Sequence, residues 1–214
     1  MNYVAIDFET ANQSRFSPCA VGLVVFNKEE ILEEYYTLIN PNMEFDPYNT
    51  MIHGITEEDV LGAPTFNDIW NELHAYLTSH LSIAHNASFD MSVLRYTLDH
   101  FGIKYPEIDY LCTCIISKNV WPGLINYKLN TLAALKNITF HHHDALEDAR
   151  AAAKIFQHAL IESNVEVADE LIQKHRLIPG KIFDGGYTAA KSPRKSRGKN
   201  IGKSTKFTNG ITPF

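Results

Sequence analysis

The sequence is poor in cysteine and has no long apolar run. Its three cysteines are an odd number, Cys19, Cys112 and Cys114, and the only close pair is spaced C-x-C. That pattern builds neither a disulfide framework nor a structural zinc site. Reduced, mostly buried thiols in a cytoplasmic protein are the reading left. No uninterrupted apolar stretch approaches the roughly 20 residues needed to cross a bilayer, so no membrane association is expected. The start, MNYVAIDFE, lacks a basic segment followed by an apolar one, and no secretory signal is expected. Acids are missing from one end. Residues 185–214 carry seven basic residues and no acid, whereas the residues before them carry 12 bases against all 25 acids.

What is present suits one ordinary domain with extra length: 214 residues, 45% hydrophobic and 21% charged. The basic stretch KSPRKSRGKNIGKSTK is rich in Ser and Gly and almost free of apolar residues. It cannot bury enough surface to offset its ordering entropy. The expected organisation is therefore a folded domain over residues 1–180 and a basic, disordered tail over 181–214. The tail reads equally as a linker or as an arm that tracks phosphates in a salt-dependent way.

Residues 2–9, 19–27 and 31–40 read as strands, the last two an antiparallel pair joined by a short KEE. Thr56-x-x-Asp59 resembles a capping box. Phe66, Ile69, Trp70, Leu73 and Leu77 recur at helical spacing, and a short strand at 81–85 leads into a helix with Met91, Leu94, Leu98 and Phe101 on one face. Gly102 stops that helix. A strand near 108–113 and helical segments near 113–120 and 130–136 follow. Asp144-Ala-Leu-Glu147 reads as a capping box that opens a last helix bearing Ala152, Ile155, Phe156, Ala159 and Leu160. A strand meander followed by alternating strands and helices predicts an α/β fold with a mixed sheet.

The chemistry gathers at four acids. In a strand side chains alternate, so Asp7 and Glu9 point the same way and repel unless a cation lies between them. Asp90 lies where the strand near 81–85 turns into a helix, and Asp148 lies in the first turn of the capped last helix. Both positions favour negative charge. Converging carboxylates are costly alone but form a hard-oxygen site suited to Mg²⁺ or Mn²⁺.

Asp7-Phe8-Glu9, Asn86-Ala-Ser-Phe89-Asp90 and His143-Asp-Ala-Leu-Glu-Asp148, with MIHGIT at 51–56 and YKLNTLAALKNI at 127–138, stand in the order and at the distances of the DEDDh exonucleases. The sequence resembles that family, which includes the proofreading epsilon subunit of bacterial DNA polymerase III, over about residues 2–162. The resemblance implies a ribonuclease H-like mixed β-sheet flanked by α-helices. It implies two divalent metal ions, Mg²⁺ or Mn²⁺, held by Asp7, Glu9, Asp90 and Asp148, with His143 as general base and Glu9 beside it in catalysis. His141 and His142 are expected to be exposed or packing residues. Phe8, Thr10, His53, Ile55 and Asn86 are implied as contacts to the terminal nucleotide. The implied partner is a single-stranded or frayed 3′ end of DNA, with RNA as the alternative, and a DNA polymerase is a further implied partner. The competing class is a non-catalytic nucleic-acid-binding or polymerase-associated module, against which the intact acids and His143 count.

Overall fold

Strand β1 (Tyr3–Thr10) alternates between two buried surfaces, and the layers of the fold follow from it. In the computed structural model, which describes residues 1–192, β1 pairs antiparallel with β2 (Pro18–Phe26), and β2 pairs with β3 (Ile31–Leu38). On its other side β1 runs parallel to β4 (Leu81–Ala84), and β4 runs parallel to β5 (Ile108–Cys112). Two short strands, β6 (Gly180–Phe183) and β7 (Gly186–Thr188), continue the sheet antiparallel, giving the order β3-β2-β1-β4-β5-β6-β7.

Val4, Ile6 and Phe8 face one side, where they pack with Phe66, Leu73 and Leu77 of α3 (Phe66–Ser79) and Met91, Leu94 and Leu98 of α4 (Asp90–Phe101). Tyr3 and Ala5 face the other, against Ala149, Ala153, Phe156 and Leu160 of α7 (Ala145–Glu162). In chain order α1 (Pro47–His53) and α2 (Glu57–Val60) precede α3, α5 (Thr113–Val120) and α6 (Leu129–Leu135) lie between α4 and α7, and α8 (Ala168–His175) follows α7. The result is an α/β, ribonuclease H-like mixed sheet flanked by helices. No helix among the described residues is long and apolar enough to cross a membrane.

The helix ends follow local chemistry. Thr56 and Asp59 form a reciprocal capping box, as do Thr65 and Asp68. Asp144 caps α7 by accepting from the N–H groups of Leu146 and Glu147, each at 3.0 Å. Glu147 does not complete the expected box. Its carboxylate pairs with Arg150, which also grips Glu34 on β3 at 2.5 and 2.7 Å, tying α7 to the sheet.

The expected domain boundary near Gly180 is too early. Gly180 opens β6 with its backbone against the Tyr110 ring, where a Cβ would stand 2.1 Å from a ring carbon. The Tyr110 hydroxyl donates to the Thr188 carbonyl at 3.1 Å, and the Arg95 guanidinium lies 3.5 Å from the centre of the Tyr187 ring. Strands of four and three residues carry too little periodicity to be read locally; contacts from β5 and α4 hold them. The expected tail from 193 onward lies outside the described residues.

Candidate active site

Asp7 and Glu9 stand near the C-terminal end of β1, on the face covered by α7. Pairing with β2 shifts register between Glu9 and Thr10, so the regular ladder ends just after the second acid. Asp148 comes from the first turn of α7. Ligand oxygens of Asp7, Glu9 and Asp148 lie within 4.8 Å of one another.

Asp90 arrives from the opposite layer as the first residue of α4. Asn86 adopts a left-handed φ of 56°, a conformation asparagine tolerates, and turns the chain from β4 into that helix. Asp90 is 1% exposed. Its Oδ1 accepts the Phe8 N–H at 3.2 Å, while its Oδ2 is buried with no hydrogen-bond partner. An orphaned buried carboxylate oxygen beside three other carboxylates fits a divalent cation.

Four acids crowded in one place resist ionisation. Burial, then repulsion by Asp90, Asp148 and Glu9, pushes Asp7 well above the usual carboxylate range. Burial and then Asp148 raise Glu9 to about 8. Asp90 is raised by burial to about 7 although the Phe8 N–H works against the shift. Asp148 is raised by burial and pulled back by His142.

His142 is exposed, as expected, and it also faces the site. Its Nδ1 lies 3.1 and 3.2 Å from the two Asp148 oxygens, and its ring stacks on His143 with centroids 3.9 Å apart. Exposure thus goes together with a contact to Asp148 that the spacing did not announce. His143, at φ 70°, reaches Asp148 through its backbone N–H at 3.3 Å, leaving its ring turned to the cleft. Burial and the neighbouring His142 lower the His143 pKa, which favours the neutral ring.

A cleft of about 580 Å³ opens over these groups, lined on one part of its wall by Asn49, Ile52 and His53 of α1 and on another by Lys118, Tyr127 and Lys128. The His53 Nδ1 accepts the Ile55 N–H at 3.0 Å, so its Nε2 carries the hydrogen and donates to the Thr10 carbonyl at 3.2 Å. Asn49 donates to the same carbonyl at 2.8 Å. Phe8 is committed to the core by its ring and borders the cleft. Thr10 and Asn86 also line it. Ile55 does not: Gly54 reverses the chain at φ 78°, and Ile55 packs against Ala11, Cys19 and Val60. Ile52, one turn earlier, occupies the wall instead.

Sequence reasoning missed His85. It directly follows β4, is held by burial to a pKa of about 4, and has its Nδ1 2.9 Å from the Thr113 hydroxyl. Its place directly before Asn86 was the available signal. Lys118 and Lys128 gave none, because exposed lysines are common in any sequence.

The profile of a protein family described as Exonuclease matches residues 4–156. A PolC-type DNA polymerase III from Caldanaerobacter subterraneus subsp. tengcongensis is 31% identical over 157 residues, 72% of this chain and 11% of that protein. A 3′-5′ exonuclease DinG from Staphylococcus aureus is 29% identical over 156 residues, 72% of this chain and 17% of that one. The chain thus spans a small part of these relatives. Among solved structures, exonuclease X in complex with 5′ overhanging duplex DNA superposes with a TM-score of 0.66 at 26% identity, covering 80% of this chain and 98% of that one.

Proposed function

The chain belongs to the exonuclease family, in its DEDDh branch of 3′→5′ enzymes, and from that premise we propose that it shortens DNA from the 3′ end, releasing nucleoside 5′-monophosphates. The observation that carries this reading is the convergence of Asp7, Glu9 and Asp148 within 4.8 Å beside the unpartnered Oδ2 of Asp90. The family uses divalent metal ions. These four residues would hold two of them, Mg²⁺ or Mn²⁺, which supply Lewis acidity toward the scissile phosphate and its leaving 3′ oxygen.

The remaining work falls to the chain itself. A ring nitrogen of neutral His143 accepts a proton from the attacking water. The water oxygen bonds to phosphorus, the bond to the 3′ oxygen breaks, and that oxygen takes a proton from solvent. Asn49 and His53 fix the Thr10 carbonyl, and with Ile52, Phe8 and Asn86 they bound the space for the terminal nucleotide. Ile55 is not assigned to it. DNA is favoured over RNA because exonuclease X, 26% identical, was solved with duplex DNA and the relative at 31% identity is a DNA polymerase. A polymerase as partner is proposed on the same ground.

The test is mononucleotide release from 3′-labelled and 5′-labelled single-stranded DNA, duplex DNA and RNA, with EDTA and with Mg²⁺ or Mn²⁺. Stepwise loss of the 3′ label, abolished by EDTA and restored by either cation, is expected. Full activity after exhaustive chelation would reject the metal-holding role, and faster RNA cleavage would reverse the substrate assignment.

A further inference from the structure

Gly22 lies in the middle of β2 among Val21, Leu23 and Val24, and it is the pairing partner of Asp7 on β1. Its φ lies outside the left-handed range, so no conformational demand calls for glycine there. Space does. A Cβ on Gly22 would stand 2.3 Å from the Ala145 carbonyl oxygen and 2.4 Å from the Ala145 carbonyl carbon and the Leu146 nitrogen. All three are backbone atoms of the first turn of α7, and backbone has no rotamer by which to step aside. Glycine inside a strand marks such an approach of another backbone.

We infer that Gly22 is a positioning residue: its missing side chain lets the first turn of α7 lie directly on β2 opposite Asp7, which sets the reach of Asp148 to Asp7 and Glu9. Asp148 is three residues past Ala145 on the same turn. To bring a Cβ at 2.3 Å back to ordinary contact, that turn must retreat by about 1 Å, a displacement that can cost on the order of 10²-fold in a catalytic constellation. The alanines along the inner stripe of α7, Ala149 and Ala153, are buried with Ala5 and Val24 and keep the same close spacing further along. The inference rests on the metal-holding role proposed for the four carboxylates.

The experiment is Mn²⁺ titration calorimetry on the metal-free full chain, comparing wild type, Gly22→Ala, Val24→Ala and Asp148→Asn. Gly22→Ala is expected to bind Mn²⁺ about tenfold or more weakly, the scale seen when groups that orient metal ligands are removed. The Mn²⁺ concentration for half-maximal DNA cleavage should rise in step. Val24→Ala opens a cavity in the same strand under the same helix; it should lower the thermal midpoint and leave Mn²⁺ affinity at the wild-type value. Wild-type affinity in Gly22→Ala, or an equal loss in Val24→Ala, overturns the inference. If Gly22→Ala does not fold, Ala149→Val wedges the same region of α7 from the helix side and must weaken Mn²⁺ binding; unchanged affinity there overturns it too. Equal Mn²⁺ binding by wild type and Asp148→Asn would bring the inference down for a different reason, because the metal-holding reading itself would then be the failure.

Discussion

Asp90 and Asp148 both reach the end of β1 from the first turn of a helix, but they are held differently. Asp90 enters with α4 from one face of the sheet, is 1% exposed, and is fixed by the Phe8 N–H of β1. Asp148 enters with α7 from the other face, is 5% exposed, and is gripped by the two histidines before that helix. One wall is strand and helix backbone. The other is a short segment with a left-handed His143 and two stacked imidazoles. Opposite faces of one sheet thus supply one acid held by backbone and one held by imidazoles.

Activity should not distinguish the two walls at first. Asp90→Asn and Asp148→Asn are each expected to lose about 10³-fold or more in kcat, as groups that act as a unit in the transition state do. Near wild-type rates from either purified, folded variant in Mg²⁺ would break the four-carboxylate site. Stability should distinguish them. In the metal-free protein at pH 8, Asp90→Asn removes the more deeply buried charge and should raise the thermal midpoint more than Asp148→Asn, whose loss also strands His142.

The histidines come next. His143→Ala should cost roughly 10²-fold to 10⁴-fold, the usual contribution of a general base. His142→Ala should cost about tenfold, the lower end for a group that orients a metal ligand. A reversed order, measured as kcat on single-stranded DNA, would move the base to His142.

The smallest effect is on pH. Acids whose folded pKa is raised bind protons more tightly folded than unfolded, so stability is present at low pH and declines as pH rises from the unfolded pKa through the folded one. With Glu9 near 8 and Asp90 near 7, the metal-free protein should lose stability between about pH 5 and pH 8.5. A loss of several degrees is expected, since about 1 kcal/mol moves a domain of this size by roughly 2–4 °C. Thermal scans with EDTA check the slope, and Mn²⁺ should flatten it. A rising midpoint over that range would contradict the crowding of the acids.

Much of the α/β fold was legible because its signals are local. Every apolar residue of the stripe Phe66, Ile69, Trp70, Leu73 and Leu77 is buried, and the Thr56–Asp59 box and the stop at Gly102 stand where the spacing puts them. A two-residue period in β1 was enough to place Asp7 and Glu9 on one face, and acids at first-turn spacing put Asp90 and Asp148 near helix starts. The order of those motifs carried the family.

The tertiary structure alone decided the rest. Strands β6 and β7 depend on Tyr110 and Arg95, distant in sequence, which is why Gly180 looked like an end. Ile52 and not Ile55 faces the cleft because Gly54 reverses the chain between them. In the run HHH no spacing rule could say that His142 would meet Asp148, since that contact depends on where the first turn of α7 comes to rest. That turn rests on the bare backbone of Gly22, in a strand whose sequence says only that it is buried. Alternation and capping are set by neighbours along the chain; the distance between two carboxylates on different elements is set by how closely those elements pack.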